Sequence, residues 1–198
     1  MDAMHNLEFA DPIKLFGHWL AEAERSEPND ANAAALATST PDGSPSVRMV
    51  LVKRADARGF CFFTNAESEK GNQLQANPRA ALCFHWKSLR RQVRVEGRVT
   101  AMPAADVDAY FHGRSRNSQI GAAVSQQSRP LASRKELEAR FQRFAQEHPG
   151  EVPRPPHWCG FKVHAERIEF WMDGADRLHD RFLFTRESGE WIRTRLYP

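Results

Sequence analysis

Arg91-Gln92-Val93-Arg94-Val95-Glu96-Gly97-Arg98-Val99-Thr100 sets valine against charge at alternate positions. Val93, Val95 and Val99 fall on one side and Arg94, Glu96 and Arg98 on the other, the period of a strand with one wet face. The same β character extends towards the N-terminus. Arg79 to Trp86 reads as a strand, preceded by a short helix over Glu67 to Gln75 that Asn77-Pro78 stops. Phe60 to Thr64, Ser46 to Lys53 and Ala35 to Thr38 are further strands, with breaks at Asp56 to Gly59 and at the Pro41-Asp42-Gly43 turn. Ahead of them, Asp11-Pro12 combines a capping residue with proline at the first helical position. Ile13, Phe16, Leu20 and Ala23 then recur at helical spacing until Ser26 to Asp30 ends the helix.

Beyond the opening strand, Pro103 begins a helical section. Helices are predicted over Ala104 to Arg114, over Ser118 to Ser125, and from the capping box Ser133-x-x-Glu136 to about Gln146. Pro149 to Pro156 is a stiff extended connector. Gly160 to His164, Arg167 to Trp171, Arg181 to Thr185 and Trp191 to Leu196 return to strand, with turns at Asp173-Gly174 and Ser188-Gly189. Antiparallel strands interrupted by helices, with no βαβ rhythm, define a mainly β, α+β chain: a barrel with peripheral helices. It reads as one domain over residues 1–198, with 1–10 flexible.

Of 198 residues, 41% are hydrophobic and 27% charged, a globular balance with no run long enough to span a bilayer. The first ten residues lack the apolar core of a signal peptide. Cys61, Cys83 and Cys159 lack metal-ligand spacing and fit reduced cysteines of a cytoplasmic protein. A net charge of +3 is too small to indicate nucleic acid. Of the 28 basic residues, 22 are Arg and 6 Lys, a bias that suits phosphate or carboxylate but that codon usage explains equally well. There is no G-x-G-x-x-G, Walker loop, H-E-x-x-H or G-x-S-x-G, so nucleotide-fold, metal and serine-nucleophile readings have no support.

Three clusters place charge where burial is expected. Arg48 interrupts Val47 to Val52, with Lys53 ending the run; a solvent-facing arginine or a bound anion accounts for it. Tyr110, Arg114 and Ser118 are four residues apart and would form one stripe of a continuous helix, able to cradle phosphate. In Arg177-Leu178-His179-Asp180-Arg181, an extended chain would put Arg177, His179 and Arg181 on one side, where an anion would relieve their repulsion. Trp171 lies upstream and could pack against a flat ring.

The order and spacing of seven segments carry a specific likeness: Pro45 to Lys53 (PSVRMVLVK), Phe62-Phe63-Thr64-Asn65, Arg91-Gln92-Val93, Ser118-Gln119-Ile120-Gly121, Gln127-Ser128, Ile168-Glu169-Phe170-Trp171 and Arg177 to Arg181. From about Asp11 to Pro198 the chain resembles the pyridoxamine (pyridoxine) 5′-phosphate oxidases. The resemblance implies an FMN-binding split β-barrel, homodimeric, with FMN at the subunit interface and residues 160–198 serving dimerisation and substrate. It implies oxidation of pyridoxamine 5′-phosphate or pyridoxine 5′-phosphate to pyridoxal 5′-phosphate, hydride passing to FMN and molecular oxygen leaving as hydrogen peroxide. Matched position by position, Arg48, Met49, Val50, Leu51, Lys53, Phe63, Thr64, Lys70, Gln92, Gln127, Ser128, Trp171 and Arg181 are expected to bind FMN. Lys53, Tyr110, Arg114 and Ser118 are expected to hold the substrate phosphate. Arg177, Leu178 and His179 lie over the pyridine ring, Arg177 and His179 being the catalytic pair.

Two departures carry expectations of their own. Glu69 stands where the family commonly has Arg, which implies one FMN phosphate contact fewer, and only Met1 to Ala10 precede the first helix, which implies a different or absent lid. Phe63 in place of a common Tyr is a mild change. The alternatives are a phenazine-biosynthesis type of flavin oxidase on the same scaffold, which Tyr110, Arg114 and Ser118 beside Lys53 argue against, and a non-catalytic binder of FMN or pyridoxal phosphate.

Overall fold

The computed structural model describes residues 11–198. The expectations placed on residues 1–10, a flexible start and a different or absent lid, lie outside them. The chain runs α1 (Pro12–Ser26), β1 (Ala33–Ser39), β2 (Pro45–Asp56), β3 (Gly59–Asn65), α2 (Glu69–Ala76), β4 (Arg79–Trp86), β5 (Arg91–Ala101), α3 (Ala104–His112), α4 (Arg116–Val124), α5 (Arg134–Glu147), β6 (Trp158–Met172), β7 (Asp180–Glu187) and β8 (Glu190–Leu196). All strand pairs are antiparallel in the order β3-β2-β1-β4-β5-β6-β7-β8, and a β3–β6 pairing closes the first six into a barrel. The expected barrel with peripheral helices is what forms.

The caps read from sequence are in place. Asp11 Oδ1 accepts from the Ile13 amide at 2.8 Å, and Ser133 Oγ from the Glu136 amide at 3.2 Å. Leu15, Phe16 and Trp19 of α1 are buried against the barrel core, where Phe16 meets Phe60 edge-on at 5.0 Å and Trp19 meets Phe170 at 5.1 Å. The Phe60-Cys61-Phe62-Phe63 run is apolar without alternation because β3 is covered on both faces. Phe60 and Phe62 enter the barrel core, while Cys61 joins Val107, Phe111, Ile120 and Trp158 in a second core under α3 and α4, with Phe63 packed against it.

Three sequence expectations are corrected. Gly160–His164 and Arg167–Trp171 are one 15-residue strand, β6, whose first half pairs with β3 and whose second half pairs with β7. The apparent break is a bulge: Glu96 faces Arg167 and Gly97 faces Ala165, leaving Glu166 extra. A Cβ on Gly97 would lie 1.9 Å from the His164 carbonyl oxygen, so the glycine that interrupts the valine alternation is required by close backbone approach. Tyr110, Arg114 and Ser118 share no continuous helix, since α3 ends at His112 and α4 begins at Arg116. The third correction concerns Arg177 to Arg181. Strand β7 starts only at Asp180, and Ala175–Arg177 forms a 3₁₀ turn with left-handed φ values of 55° at Asp176 and 63° at Arg177. The three basic side chains therefore do not sit on one face of an extended segment.

No helix among the described residues is long and apolar enough to cross a membrane. Cys61, Cys83 and Cys159 are free, and burial raises the Cys159 thiol to about 11, which keeps it protonated and inert.

Candidate active site

The expected site residues fall into two groups. The first gathers around α2 and the end of β3. Arg48 points inward from β2, half-buried, and donates to Thr38 Oγ1 at 2.5 Å, to the Leu36 and Ser46 carbonyls at 3.3 and 3.2 Å, and to Gln73 Oε1 at 3.4 Å. The solvent-facing alternative for Arg48 is thus set aside. Glu69 Oε1 accepts from Ser46 Oγ at 2.8 Å and lies 4.0 Å from the Arg48 guanidinium.

Lys70, one residue into α2, is only 8% exposed. Its ammonium donates to Gln127 Oε1 at 2.8 Å and to Ser68 Oγ at 3.3 Å, and Thr64 Oγ1 shares Gln127 Oε1 at 3.1 Å. Among the described residues no carboxylate comes within ion-pair distance of it. Burial pushes its pKa below the usual lysine value, and the nearby Arg48 charge adds to the effect. A buried ammonium with two neutral acceptors and a neighbouring guanidinium has the chemistry to receive an anion. Ser128 completes this side of the chain with a left-handed φ of 70°.

Beside it stands an aromatic wall. Phe63 stacks on Tyr110 at 3.9 Å and 5° and on Trp158 at 5.3 Å and 7°. The Arg114 guanidinium lies 5.1 Å over the Trp158 ring, and its buried Nη1 has no hydrogen-bond partner. Burial lowers its pKa, against the opposing influence of Tyr110, whose own pKa burial raises. Phe63, Thr64, Arg114, Gly121, Gln127 and Trp158 line a cavity of about 230 Å³. Ser118, on the first turns of α4, is exposed and accepts from Ser115 Oγ at 2.8 Å. Lys53 is the extra residue of a second bulge, Val52 facing Phe62 and Arg54 facing Cys61, and its side chain is exposed. Met49 and Leu51 expose apolar side chains on the outer face of β2, whereas Val50 turns inward against the core.

The second group lies across β5, β6 and β7. Gln92 pairs with Trp171 and Trp171 with Arg181, so the three form one row. His179 leans on Trp171, ring centroids 4.7 Å apart, and its Nδ1 lies 3.2 Å from both the Gly174 amide nitrogen and Asp173 Oδ1. Arg181 is already paired with Glu169, and Arg177 and Leu178 are exposed on the turn. The anion expected among Arg177, His179 and Arg181 is therefore supplied for two of them by Asp173 and Glu169.

Strand β6 measures the gap between the groups. Cys159 faces Thr64 of the first, and Trp171 of the second lies twelve residues further. At ~3.3 Å per residue that is about 40 Å of strand. Sequence reasoning missed Trp158 and Gln73, and it quoted Glu169 without giving it a role. An acid between Ile168 and Phe170, in a half-buried strand rich in facing arginines, was the available signal.

The barrel is shared with a solved structure of PhzG from Burkholderia lata, bound to tetrahydrophenazine-1-carboxylic acid, with TM-score 0.93, 30% identity and coverage of 100% of this chain and 98% of that one. Residues 20–148 match the pyridoxamine 5′-phosphate oxidase family and residues 158–198 the pyridoxine 5′-phosphate oxidase C-terminal dimerisation region, so the chain belongs to the pyridoxamine 5′-phosphate oxidase family. Among its relatives, the pyridoxine/pyridoxamine 5′-phosphate oxidase of Rhodospirillum rubrum is 59% identical over 98% of this chain and 100% of its own length. That of Gluconobacter oxydans is 57% identical over 96% and 95%.

Proposed function

We propose that this chain is an FMN-dependent oxidase converting pyridoxamine 5′-phosphate or pyridoxine 5′-phosphate to pyridoxal 5′-phosphate. The observation that carries the reading is a pair of sheltered cations at one cavity, neither with a carboxylate partner among the described residues: Arg114 lines it beside Phe63, and Lys70 donates to Gln127, which lines it too. Two phosphate-bearing aromatic ligands are what such a pair fits: FMN at Lys70, Arg48 and Thr64, the substrate at Arg114, Tyr110, Ser118 and the bulge residue Lys53. FMN, when bound, supplies the two-electron acceptor that oxygen regenerates. The protein's part is binding and orientation. Arg114 and Lys53 fix the substrate phosphate, Gln127 and Ser128 bound the cofactor side, and Arg177 and His179 set the pyridine ring. Asp173 at His179 Nδ1 leaves Nε2 as the nitrogen that reaches the substrate.

One chain keeps the second group some 40 Å of strand away from the first. The reading therefore has Gln92, Trp171, Arg177, His179 and Arg181 of one copy completing the site begun by Lys70 and Arg114 of another. Val47 and Met49, 69% and 63% exposed, belong to the surface that the second copy covers. The chain acts as one domain, residues 158–198 forming the subunit contact, and the free cysteines are consistent with a cytoplasmic setting.

The direct test is to purify the protein, record its flavin absorbance and add pyridoxamine 5′-phosphate under air. Aldehyde and peroxide in equal amounts are expected; bound FMN with neither product would sink the oxidase reading. The phenazine alternative is weaker, because relatives at 59% and 57% identity are named for vitamin B6 phosphates. Glu69 bears on FMN retention. Its carboxylate competes for Arg48 from 4.0 Å, so Glu69→Arg is expected to tighten FMN binding by about three- to tenfold. Equal dissociation constants for the two proteins by fluorescence titration would remove that role.

A further inference from the structure

Arg181 has its charge answered within the chain by a buried carboxylate, more closely than Arg48, whose neighbour Glu69 stands 4.0 Å away. Its Nε donates to Glu169 Oε1 at 2.9 Å, its Nη2 lies 2.8 Å from the same oxygen, and Nη1 donates to the Tyr197 carbonyl at 2.9 Å. Glu169 is 7% exposed, and its other oxygen lies 3.3 Å from Arg94 Nη1. Arg94 in turn pairs with Glu96 at 2.6 Å, and Glu96 with Arg167 at 3.4 Å. A guanidinium carries five N–H donors in a rigid plane. Glu169 engages the Nε side and Tyr197 takes one Nη1 donor, so donors remain at the terminal-nitrogen edge of the fork. A removed or rotated carboxylate would leave that edge unaimed and its charge unbalanced.

Resting on the FMN reading above, we propose that Glu169 is a positioning residue for the flavin. It orients Arg181 so that its end edge meets two adjacent acceptors on the ring system, and it cancels most of the arginine's positive charge there. Arg181 then acts as a neutralised donor pair and not as an electrostatic anchor. The consequence concerns electron affinity. Two-electron reduction makes the flavin ring more negative, so an uncompensated guanidinium beside it favours the reduced state. With Glu169 in place that bias is held down.

The experiment uses the full-length dimer reconstituted with FMN and reads the flavin midpoint potential by anaerobic dye-coupled titration. Glu169→Gln keeps an acceptor near Arg181 but removes the charge. It is expected to favour reduced flavin by about tenfold, which is ~30 mV more positive for a two-electron couple. Glu169→Asp keeps the charge but shortens the reach. It should leave the potential near the unsubstituted value while weakening FMN binding several-fold, and it tests the orientation claim even if the Gln variant does not fold. A merely structural role would lower thermal stability in both without moving the potential. An unchanged or more negative potential in a flavin-loaded Glu169→Gln protein overturns the proposal, as does FMN binding by Glu169→Asp equal to that of the unsubstituted protein. Arg181→Ala separates the two layers: unchanged FMN affinity and potential would remove Arg181 from the flavin and the role of Glu169 with it, whereas weakened FMN binding by Arg181→Ala beside an unmoved potential in Glu169→Gln would strike the role of Glu169 alone.

Discussion

Lys70→Met is expected to purify folded but nearly colourless, with FMN bound about 10- to 150-fold more weakly. The figure follows from losing a charged hydrogen bond worth ~1.5–3 kcal/mol. The same change should not harm the apo-protein. Among the described residues, buried Lys70 has only Gln127 and Ser68 to accept its protons, so its charge is a cost until an anion arrives. Methionine matches the unbranched stem and removes the cost. Melting curves should then show an apo-protein at least as stable as the unsubstituted one, but with little added stability at saturating FMN. A destabilised apo Lys70→Met protein would mean that the lysine serves the fold. The pH dependence has a definite sign. Phosphate binding needs the ammonium, and burial has lowered its pKa from 10.5, so FMN affinity should begin to fall on the alkaline side of neutrality earlier than for an ordinary lysine. The Met variant should lack that fall.

Arg114→Leu is expected to keep its yellow colour and lose its substrate. Removing one partner of a sheltered charge pair costs about 3 kcal/mol, so kcat/KM for pyridoxamine 5′-phosphate should drop roughly a hundredfold or more. Turnover of the dephosphorylated amine should barely change, because the lost contact is to phosphate. Leucine can still pack on the Trp158 ring beneath it, and the unpartnered Nη1 disappears, so stability should hold. An equal loss with both amines would show that Arg114 shapes the cavity and does not read the phosphate.

The sequence made the barrel legible because its cues were local. Valine alternation over Val93 to Val99, the Asp11-Pro12 cap and the Ser133 capping box each depend on neighbours within a turn or a strand pair. What it could not convey was how a single irregular residue redirects a strand. Glu166 and Lys53 are bulged residues, and only the register of the facing strand reveals them. The same holds for the site. Lys70 and Arg114 were legible through their match to a known pattern, whereas Glu169 was not, because its meaning depends on Arg181 twelve positions away and Arg94 on another strand. The Arg177 to Arg181 segment shows the limit most clearly. Spacing put three cations on one face, but left-handed φ values at Asp176 and Arg177 turn the chain before the strand begins.

Strand β6 runs from the Trp158 wall to the Trp171 row, so under the proposed function each chain holds one end of two different sites. In genetic terms, lesions at the two ends are complementary and not equivalent. A chain crippled at Lys70 and a chain crippled at Arg181 would each be dead alone. Paired together, they concentrate both faults in one site and leave the other whole, so a mixed population of two null alleles retains working enzyme.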